Sequence, residues 1–190
     1  MRNVKLFMLV TLCMCLLQAC HRMQDSDANE DTTNYAADTL KNKNIIVGKD
    51  DIKFVTDVAA AVNAEIKIGT LAKKQGQDKR IKNFGVMMVK DLNKGKLRLM
   101  ALAKAKKIAL SDSVTTADQK NIDALAKKTG KGFDLAYINQ TAENHKHAAD
   151  LFKTAAKTVY DPDIKAFAIR NGPTVKRHLD AIEAIQGSMK

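Results

Sequence analysis

Residues 54–72 read FVTDVAAAVNAEIKIGTLA, and this stretch decides the fold because its apolar residues recur three and four positions apart. We predict a helix over roughly residues 51–75 that ends at Gly76, since glycine commonly follows the last helical turn. One charged residue, Glu65, lies on the apolar stripe of this helix. The stripe itself consists of Val55, Val58, Val62, Gly69 and Ala72.

Two further long helices follow, again from helical periodicity. The second covers roughly residues 78–107, where Gly85 and Gly95 would allow a neighbouring helix to approach closely. The third covers roughly residues 133–159 and is preceded by a short helix over about residues 117–128. No run of alternating β-branched residues suggests a strand.

The fourth long helix begins at Asp161-Pro162, an N-cap residue followed by proline at the first helical position. It reaches about residue 186, and Gly172-Pro173 is expected to kink or briefly break it. Four long helices with short connections and one apolar stripe each favour an all-α, up-down-up-down four-helix bundle. We assign this domain to residues 50–190.

The composition agrees with one helical domain. The chain has 190 residues, of which 45% are hydrophobic, and it contains nine Gly and two Pro. This apolar share excludes a chain that is disordered throughout, and the Gly and Pro counts exclude collagen-like and proline-rich sequences.

The first twenty residues have the pattern of an export signal. An apolar run over residues 6–17 follows two basic residues, and at about 12 residues it is too short to cross a bilayer. The run closes with Leu17-Gln18-Ala19-Cys20, which resembles a bacterial lipobox. We therefore expect residues 1–19 to be a lipoprotein signal peptide and Cys20 to carry the lipid. Ordinary secretion and a retained apolar tail are the alternatives.

Residues 20–49 read as a flexible acidic tether, because Asp and Glu stand among Asn, Thr and Ser without helical periodicity. The same acidic segment could instead be a sorting signal for the cell surface. His21 follows Cys20, so the chain lacks the Asp that often retains lipoproteins in the inner membrane. The sequence favours an outer-membrane lipoprotein, on the periplasmic side or at the cell surface.

Several kinds of catalytic site are excluded or poorly supported. Once the signal is removed, Cys20 is the one cysteine left of the three in the chain. A disulfide within the domain, a zinc–thiolate site and a cysteine nucleophile are therefore excluded. No serine has a histidine at a recognisable triad spacing, and no glycine-rich phosphate loop follows a strand. The sequence leans away from an enzyme.

Positive charge is concentrated in one segment. The whole chain has a formal net charge of +11, and basic residues far outnumber acidic ones over residues 73–107. We expect this segment to contact an anionic envelope component, such as lipopolysaccharide phosphates or anionic head groups, or a protein partner. A simply solvated polar face is the alternative, and the absence of interleaved aromatic residues disfavours nucleic acid. The candidate contact residues are Lys73, Lys74, Lys79, Arg80, Lys82, Lys90, Lys94, Lys96 and Arg98.

Each long helix carries one ionisable residue on its apolar stripe, and these are Glu65, Asp91, His145 and His178. Counted from the connecting turns, they lie within roughly two helical turns of one another in depth. Charged groups are rarely buried unless they are paired or bind a metal. The cluster is therefore either a divalent metal site or a salt-bridged polar layer that fixes helix register. A ferritin-type di-iron site would need Glu-x-x-His on two helices, which the chain lacks. No other cofactor is suggested.

Four short motifs, one in each long helix, match those of a known family. They are Ala59-Ala60-Ala61 with Glu65 and Gly69, Phe84 with Met88-Val89-Lys90-Asp91, Phe133-Asp134 with Tyr137 and His145, and Pro173 with His178. Through these motifs the chain resembles, over about residues 50–185, the bacterial exported ferritin-like proteins catalogued as a domain of unknown function. The resemblance implies a ferritin-like bundle and export, and many members of that family are described as outer-membrane proteins. The family usually has Asp-His where this chain has Asp91-Leu92, so one imidazole is missing here.

Together these patterns predict a lipid-anchored cell-envelope protein with a non-enzymatic binding or structural role. The alternative is an iron- or zinc-binding or oxidative-stress protein that uses the carboxylate and histidine cluster.

Overall fold

The computed structural model describes residues 46–189, and within them the chain forms five α-helices and no strand. The predicted all-α fold is confirmed, and the helix ends lie within a few residues of the predicted ones. The helices are α1 (Lys49–Gln75), α2 (Lys79–Ala105), α3 (Thr116–Ala126), α4 (Gly130–Thr158) and α5 (Pro162–Gly187).

The long helices pack in antiparallel pairs. The most extensive contacts join α1 to α2 and α4 to α5, and each of these pairs is connected by a short turn. In addition α1 contacts α4, and α2 contacts α5, so the four long helices enclose a common interior. The short α3 covers one side by packing on α1 and α4.

Two glycines bring α1 and α2 close together. A Cβ atom at Gly85 would lie 2.7 Å from the carbonyl oxygen of Gly69 and 2.9 Å from the backbone nitrogen of Lys73, closer than real Cβ contacts. The close approach expected at Gly85 is therefore present. At Gly95 that expectation is wrong, because a Cβ atom there would meet no atom within 4 Å.

Two helix boundaries differ from the sequence expectation. The residues 129–132 were expected to form a connection, but α4 already begins at Gly130, which has a φ of +56° that glycine adopts without strain. Of the kink or break expected at Gly172-Pro173, the break is wrong, because α5 continues through Pro173, and the kink stays a prediction. Pro173 lies on the exposed side of α5, where water can bond the carbonyl that proline leaves without an N–H donor.

The interior contains two apolar clusters, one near each end of the long helices. The first lies by the α4–α5 turn and includes Phe54, Phe152 and Phe167, with the rings of Phe54 and Phe152 edge to face at 5.3 Å. The second lies by the α1–α2 turn and includes Phe133 and Tyr137, whose rings stack at 6.1 Å. The middle of the long helices lies between these clusters.

Two buried carboxylates accept hydrogen bonds from the backbone of the connecting turns. Asp51 accepts a hydrogen bond from the backbone N–H of Tyr160 at 2.8 Å, and Asp134 accepts from the N–H groups of Gln77 and Asp78 at 2.9 and 2.8 Å. Because both carboxylates are almost fully buried, each tightly links a helix of one pair to the turn of the other.

A buried ion cluster also stabilises the end of the long helices at the α4–α5 turn, where Asp51 bonds Tyr160. The Nζ atom of Lys106 lies 2.7 Å from Asp161 and 2.5 Å from Asp163, with the Lys106 side chain almost fully buried. The two carboxylates raise the pKa of Lys106 against the opposing effect of burial. The end of α2 is thereby held against the start of α5.

Candidate functional site

A cavity of about 660 Å³ lies in the middle of the long helices, between the two apolar clusters. Residues from all four long helices and from the start of α3 line it. Its apolar lining includes Val62, Leu92, Leu151, Phe167 and Val175. The four ionisable residues singled out from the sequence all line this one cavity, and they are Glu65, Asp91, His145 and His178.

Glu65 places a carboxylate in the wall of the cavity while only 8% of the residue is exposed. Its Oε1 atom accepts a hydrogen bond from Nδ2 of Asn144 at 2.6 Å. Burial raises the pKa of Glu65, and the charge of His145 and the Asn144 hydrogen bond oppose that rise. The side chain is therefore costly to ionise in its present surroundings.

His178 and Asp91 form a pair across α5 and α2. The Nε2 atom of His178 lies 3.1 Å from Oδ2 of Asp91. His178 is 3% exposed and the Asp91 side chain is 29% exposed, so the pair runs from the interior toward the cavity mouth. Burial lowers the pKa of His178, and the Asp91 hydrogen bond opposes this effect.

His145 lies beside His178 in the cavity wall. Its ring meets that of His178 edge to face, with 5.8 Å between centroids. The Nδ1 atom of His145 lies 3.0 Å from the carbonyl oxygen of Thr141. A carbonyl can only accept, so Nδ1 is the donor in this hydrogen bond, and in the neutral form of the ring the lone pair is on Nε2.

The structure thus places the four predicted residues around one cavity, and one direct hydrogen bond joins two of them, His178 and Asp91. Asp91 bonds His178, whereas the direct hydrogen-bond partner of Glu65 is Asn144. Over residues 46–189, no three His, Cys, Asp or Glu side chains form a group that could hold a metal ion.

Sequence reasoning missed Asn144, because a polar residue next to His145 gives no periodic signal of its own. It also missed two hydrogen bonds between Asn63 and the loop after α2. The Nδ2 atom of Asn63 donates to the carbonyl oxygens of Ser111 and Ser113. The one available signal was that Asn63 lies directly beside the apolar stripe of α1.

The predicted contact lysines lie mainly on the outside. Lys73 and Lys74 are exposed at the end of α1, and most of the others follow α2. Arg80 bonds Asp78, whose pKa it lowers to about 2, and Lys96 lies 3.0 Å from Asp112. Arg98 is half-buried and lines the cavity.

One exposed side of α2 combines lysines with apolar side chains, and we call it the α2 face. Leu97 on this side is 63% exposed, an unusual position for leucine in the middle of a long helix. The α2 face consists of Lys79, Lys82, Val86, Lys90, Leu97, Met100 and Lys104. Lys94 lies at its border and also lines the cavity.

The fold and the cavity define an all-α protein with a polar centre enclosed by antiparallel helices. The chain belongs to the family described as domain of unknown function (DUF4142), whose model matches residues 36–185. The resemblance seen in the sequence motifs is confirmed to that extent.

A solved structure supports the helical arrangement. The crystal structure of a DUF305 fragment from Deinococcus radiodurans is similar with a TM-score of 0.67, covering 76% of this chain and 99% of that chain at 8% sequence identity. At this identity the likeness concerns the fold alone. No curated protein matches the chain.

The membrane-related predictions concern residues outside the described part. Cys20, the signal over residues 1–19 and most of the tether precede residue 46, where the description begins. Among the described helices, none is both long and apolar enough to span a bilayer.

Proposed function

We propose that this protein is a lipid-anchored, non-enzymatic binding protein of the cell envelope whose α2 face contacts an anionic partner. The observation that carries the proposal is the exposed combination of lysines and apolar side chains on one side of α2. Lysines close to an anionic surface attract it by about 1 kcal/mol each. Exposed Val86, Leu97 and Met100 add apolar contact at the same place.

The anchor in this proposal is Cys20. The lipobox-like Leu17-Gln18-Ala19-Cys20 supports it, as does the short apolar run that precedes it. A lipid at Cys20 would confine the helical domain to within the reach of the tether from the outer membrane. Weak attraction by the α2 face would then suffice for contact, since tethering raises the effective concentration of the surface.

We also propose that the domain is a ferritin-like four-helix bundle. Four long helices around a common interior, with polar side chains at mid-height, support this assignment. The short α3 is then an insertion between the two helix pairs.

Vesicle binding tests the α2 face. The mature chain (residues 20–190) carrying Cys20→Ser is mixed with phosphatidylcholine vesicles with or without phosphatidylglycerol, and the bound fraction is measured by sedimentation. We expect binding to the anionic vesicles alone, weakened by added NaCl. Lys82→Glu with Lys90→Glu should reduce it about tenfold or more.

The matched control reverses two exposed lysines of α4, Lys153→Glu with Lys157→Glu, so that net charge changes equally on another surface. Equal loss of binding in both double variants would refute the α2 face and leave only a general charge effect. Mass spectrometry of the protein from its own membranes tests the anchor, since diacylglyceryl and acyl groups should be found on Cys20 and be absent after Cys20→Ser.

Metal binding is the second candidate function, favoured by the adjacent His145 and His178 rings. Elemental analysis of the mature chain purified without chelator tests it. About one equivalent of iron or zinc, lost in His178→Ala and kept in the exposed-residue control His147→Ala, would establish a metal site. Absence of bound metal in all three proteins would leave the cluster as a polar layer.

A further inference from the structure

The central cavity has the size and lining of a small-molecule site. Its volume of about 660 Å³ falls within the range of about 300–1,000 Å³ that ligand pockets occupy. Apolar side chains form much of its wall, and the polar groups of Glu65, His145 and His178 line it as well. This mixture gives a ligand both apolar contact and orientation.

The most deeply buried polar groups of the cavity are left as hydrogen-bond acceptors. His145 donates its Nδ1 proton to the Thr141 carbonyl, so the neutral ring has its lone pair on Nε2. His178 gives its Nε2 proton to the Asp91 carboxylate, which leaves Nδ1 with a lone pair. Glu65 accepts from Asn144 through Oε1, and its second oxygen remains an acceptor.

We propose that this cavity binds a small primary amine, with its ammonium group at Glu65 and the two histidines and its apolar body against the surrounding aromatic and aliphatic side chains. An ammonium group has three N–H donors and no acceptor, so it complements a set of acceptors. Its positive charge also balances the Glu65 carboxylate, which is buried in the cavity wall, where an unpaired negative charge is disfavoured.

An ammonium group fits this geometry better than a metal ion does. Metal ligands must converge to about 2.0–2.2 Å from one point, and residues 46–189 contain no such group of three. An ammonium group makes hydrogen bonds of about 2.9 Å, so its acceptors can lie farther apart than the ligands of a metal ion. The apolar body of the amine would lie against Leu151, Phe152, Phe167 and Val175.

Positive side chains also line the cavity, and they define the competing ligand class. Arg177 and Lys94 are exposed and Arg98 is half-buried, so these cations lie nearer the mouth than Glu65 and His145. A carboxylate ligand would meet them first. The ligand charge therefore has to be varied directly in the test.

Isothermal titration calorimetry of the mature chain with Cys20→Ser provides the test, near neutral pH. The probes are 2-phenylethylamine, the neutral 2-phenylethanol and the anionic 3-phenylpropionate, which share an aromatic body. We expect the amine to bind with a stoichiometry of one and about tenfold or more tightly than the alcohol. Glu65→Gln should weaken amine binding about tenfold and leave alcohol binding unchanged, and the control Glu183→Gln, on the exposed side of α5, should change neither.

A second variant tests the cavity without altering its charges. Gly95 lines the cavity with open space at its Cβ position, so Gly95→Leu adds a side chain there without a backbone clash. It should abolish amine binding while circular dichroism shows the helical fold retained.

Equal binding of amine and alcohol, tighter binding of 3-phenylpropionate, or no binding of any probe would each overturn the proposal. Unchanged amine binding in either Glu65→Gln or Gly95→Leu would do so as well. The proposal does not depend on the α2 face, so vesicle binding and amine binding fail or succeed separately.

Discussion

The two interior glycines of α2 provide a matched pair of perturbations with opposite expected signs. Gly95→Ala adds a methyl group where no atom lies within 4 Å. Replacing glycine by alanine inside a helix gains about 0.5–1 kcal/mol, because the unfolded chain loses conformational freedom. With no opposing contact, Gly95→Ala should stabilise the protein by about that amount.

Gly85→Ala gains the same helix propensity but meets three atoms below 3.0 Å. They are the carbonyl oxygen of Gly69 at 2.7 Å, and the Cβ atom of Ala72 and the backbone nitrogen of Lys73 at 2.9 Å. Two of these atoms are backbone, so α1 and α2 must move apart to admit the methyl group. Overpacking of this kind costs about 1–3 kcal/mol, and backbone contacts favour the upper value. The net destabilisation should be about 2 kcal/mol.

Urea denaturation followed by circular dichroism measures both effects. The two variants should differ by about 3 kcal/mol in the free energy of unfolding. For a chain of this size each kcal/mol moves the melting temperature by about 2–4 °C, which a thermal scan confirms independently. Equal stabilities for the two variants would show that α1 and α2 are not in tight contact at Gly69 and Gly85.

Three other predictions concern buried ionisable groups. Lys106→Met should cost about 3 kcal/mol because it leaves the buried carboxylate of Asp161 and the partly buried one of Asp163 without their cation. The exposed Lys104→Met should change stability little, and urea midpoints compare the two variants. Asp134→Ala leaves two turn N–H groups without their acceptor and should cost about 2–3 kcal/mol, against a negligible change for the exposed Asp150→Ala in the same assay; equal losses would refute the role of the Asp134 carboxylate. Because burial lowers the pKa of His178 from its ordinary value of 6.5, the unfolded chain takes up the proton first as the pH drops. The contribution of His178 to stability is therefore complete above the ordinary pKa and is lost as the pH falls toward the folded pKa. His178→Gln should flatten that fall below about pH 6.5, and an unchanged slope in chemical denaturation would contradict it.

The helices were predictable from sequence because their signals are local. Apolar periodicity and the Asp161-Pro162 start depend on neighbours within a few residues, and the helix bounds accordingly agree with the structure to within a few residues. The positions of Glu65 and His145 on apolar stripes were readable in the same way. Their depths could be compared across helices since each residue adds a fixed rise.

The partners of those residues were not predictable, because they depend on how the helices rotate against each other. Gly85 and Gly95 look alike in sequence, yet one touches α1 and the other faces open space. Whether Glu65 would bond a histidine or Asn144 depends on how each helix is rotated about its own axis, and the structure has the bond to Asn144. The same is true of Asp134, which accepts its hydrogen bonds from the turn before α2, in the other helix pair.

Glu65 is the residue at which fold stability and binding should conflict. It places an ionisable group between two apolar clusters, and burial raises its pKa. A raised folded pKa means that its contribution to stability is complete below its ordinary value and is lost as the pH rises through the folded pKa. Glu65→Gln keeps the shape of the side chain and the hydrogen bond from Asn144. It removes the ionisable group, so stability is no longer lost as the pH rises. The variant should therefore unfold at a higher urea concentration than the parent at neutral pH, with the difference vanishing at acid pH.

The sign of that difference separates two roles for Glu65. A carboxylate retained only to fix helix register should make its removal neutral or destabilising at neutral pH. Greater stability of Glu65→Gln together with weaker amine binding would instead show that the fold carries the cost of a buried charge for its ligand, as binding sites commonly do. If the variant unfolds more easily at neutral pH, Glu65 is a structural group and the acceptor set of the cavity has to be explained by packing alone.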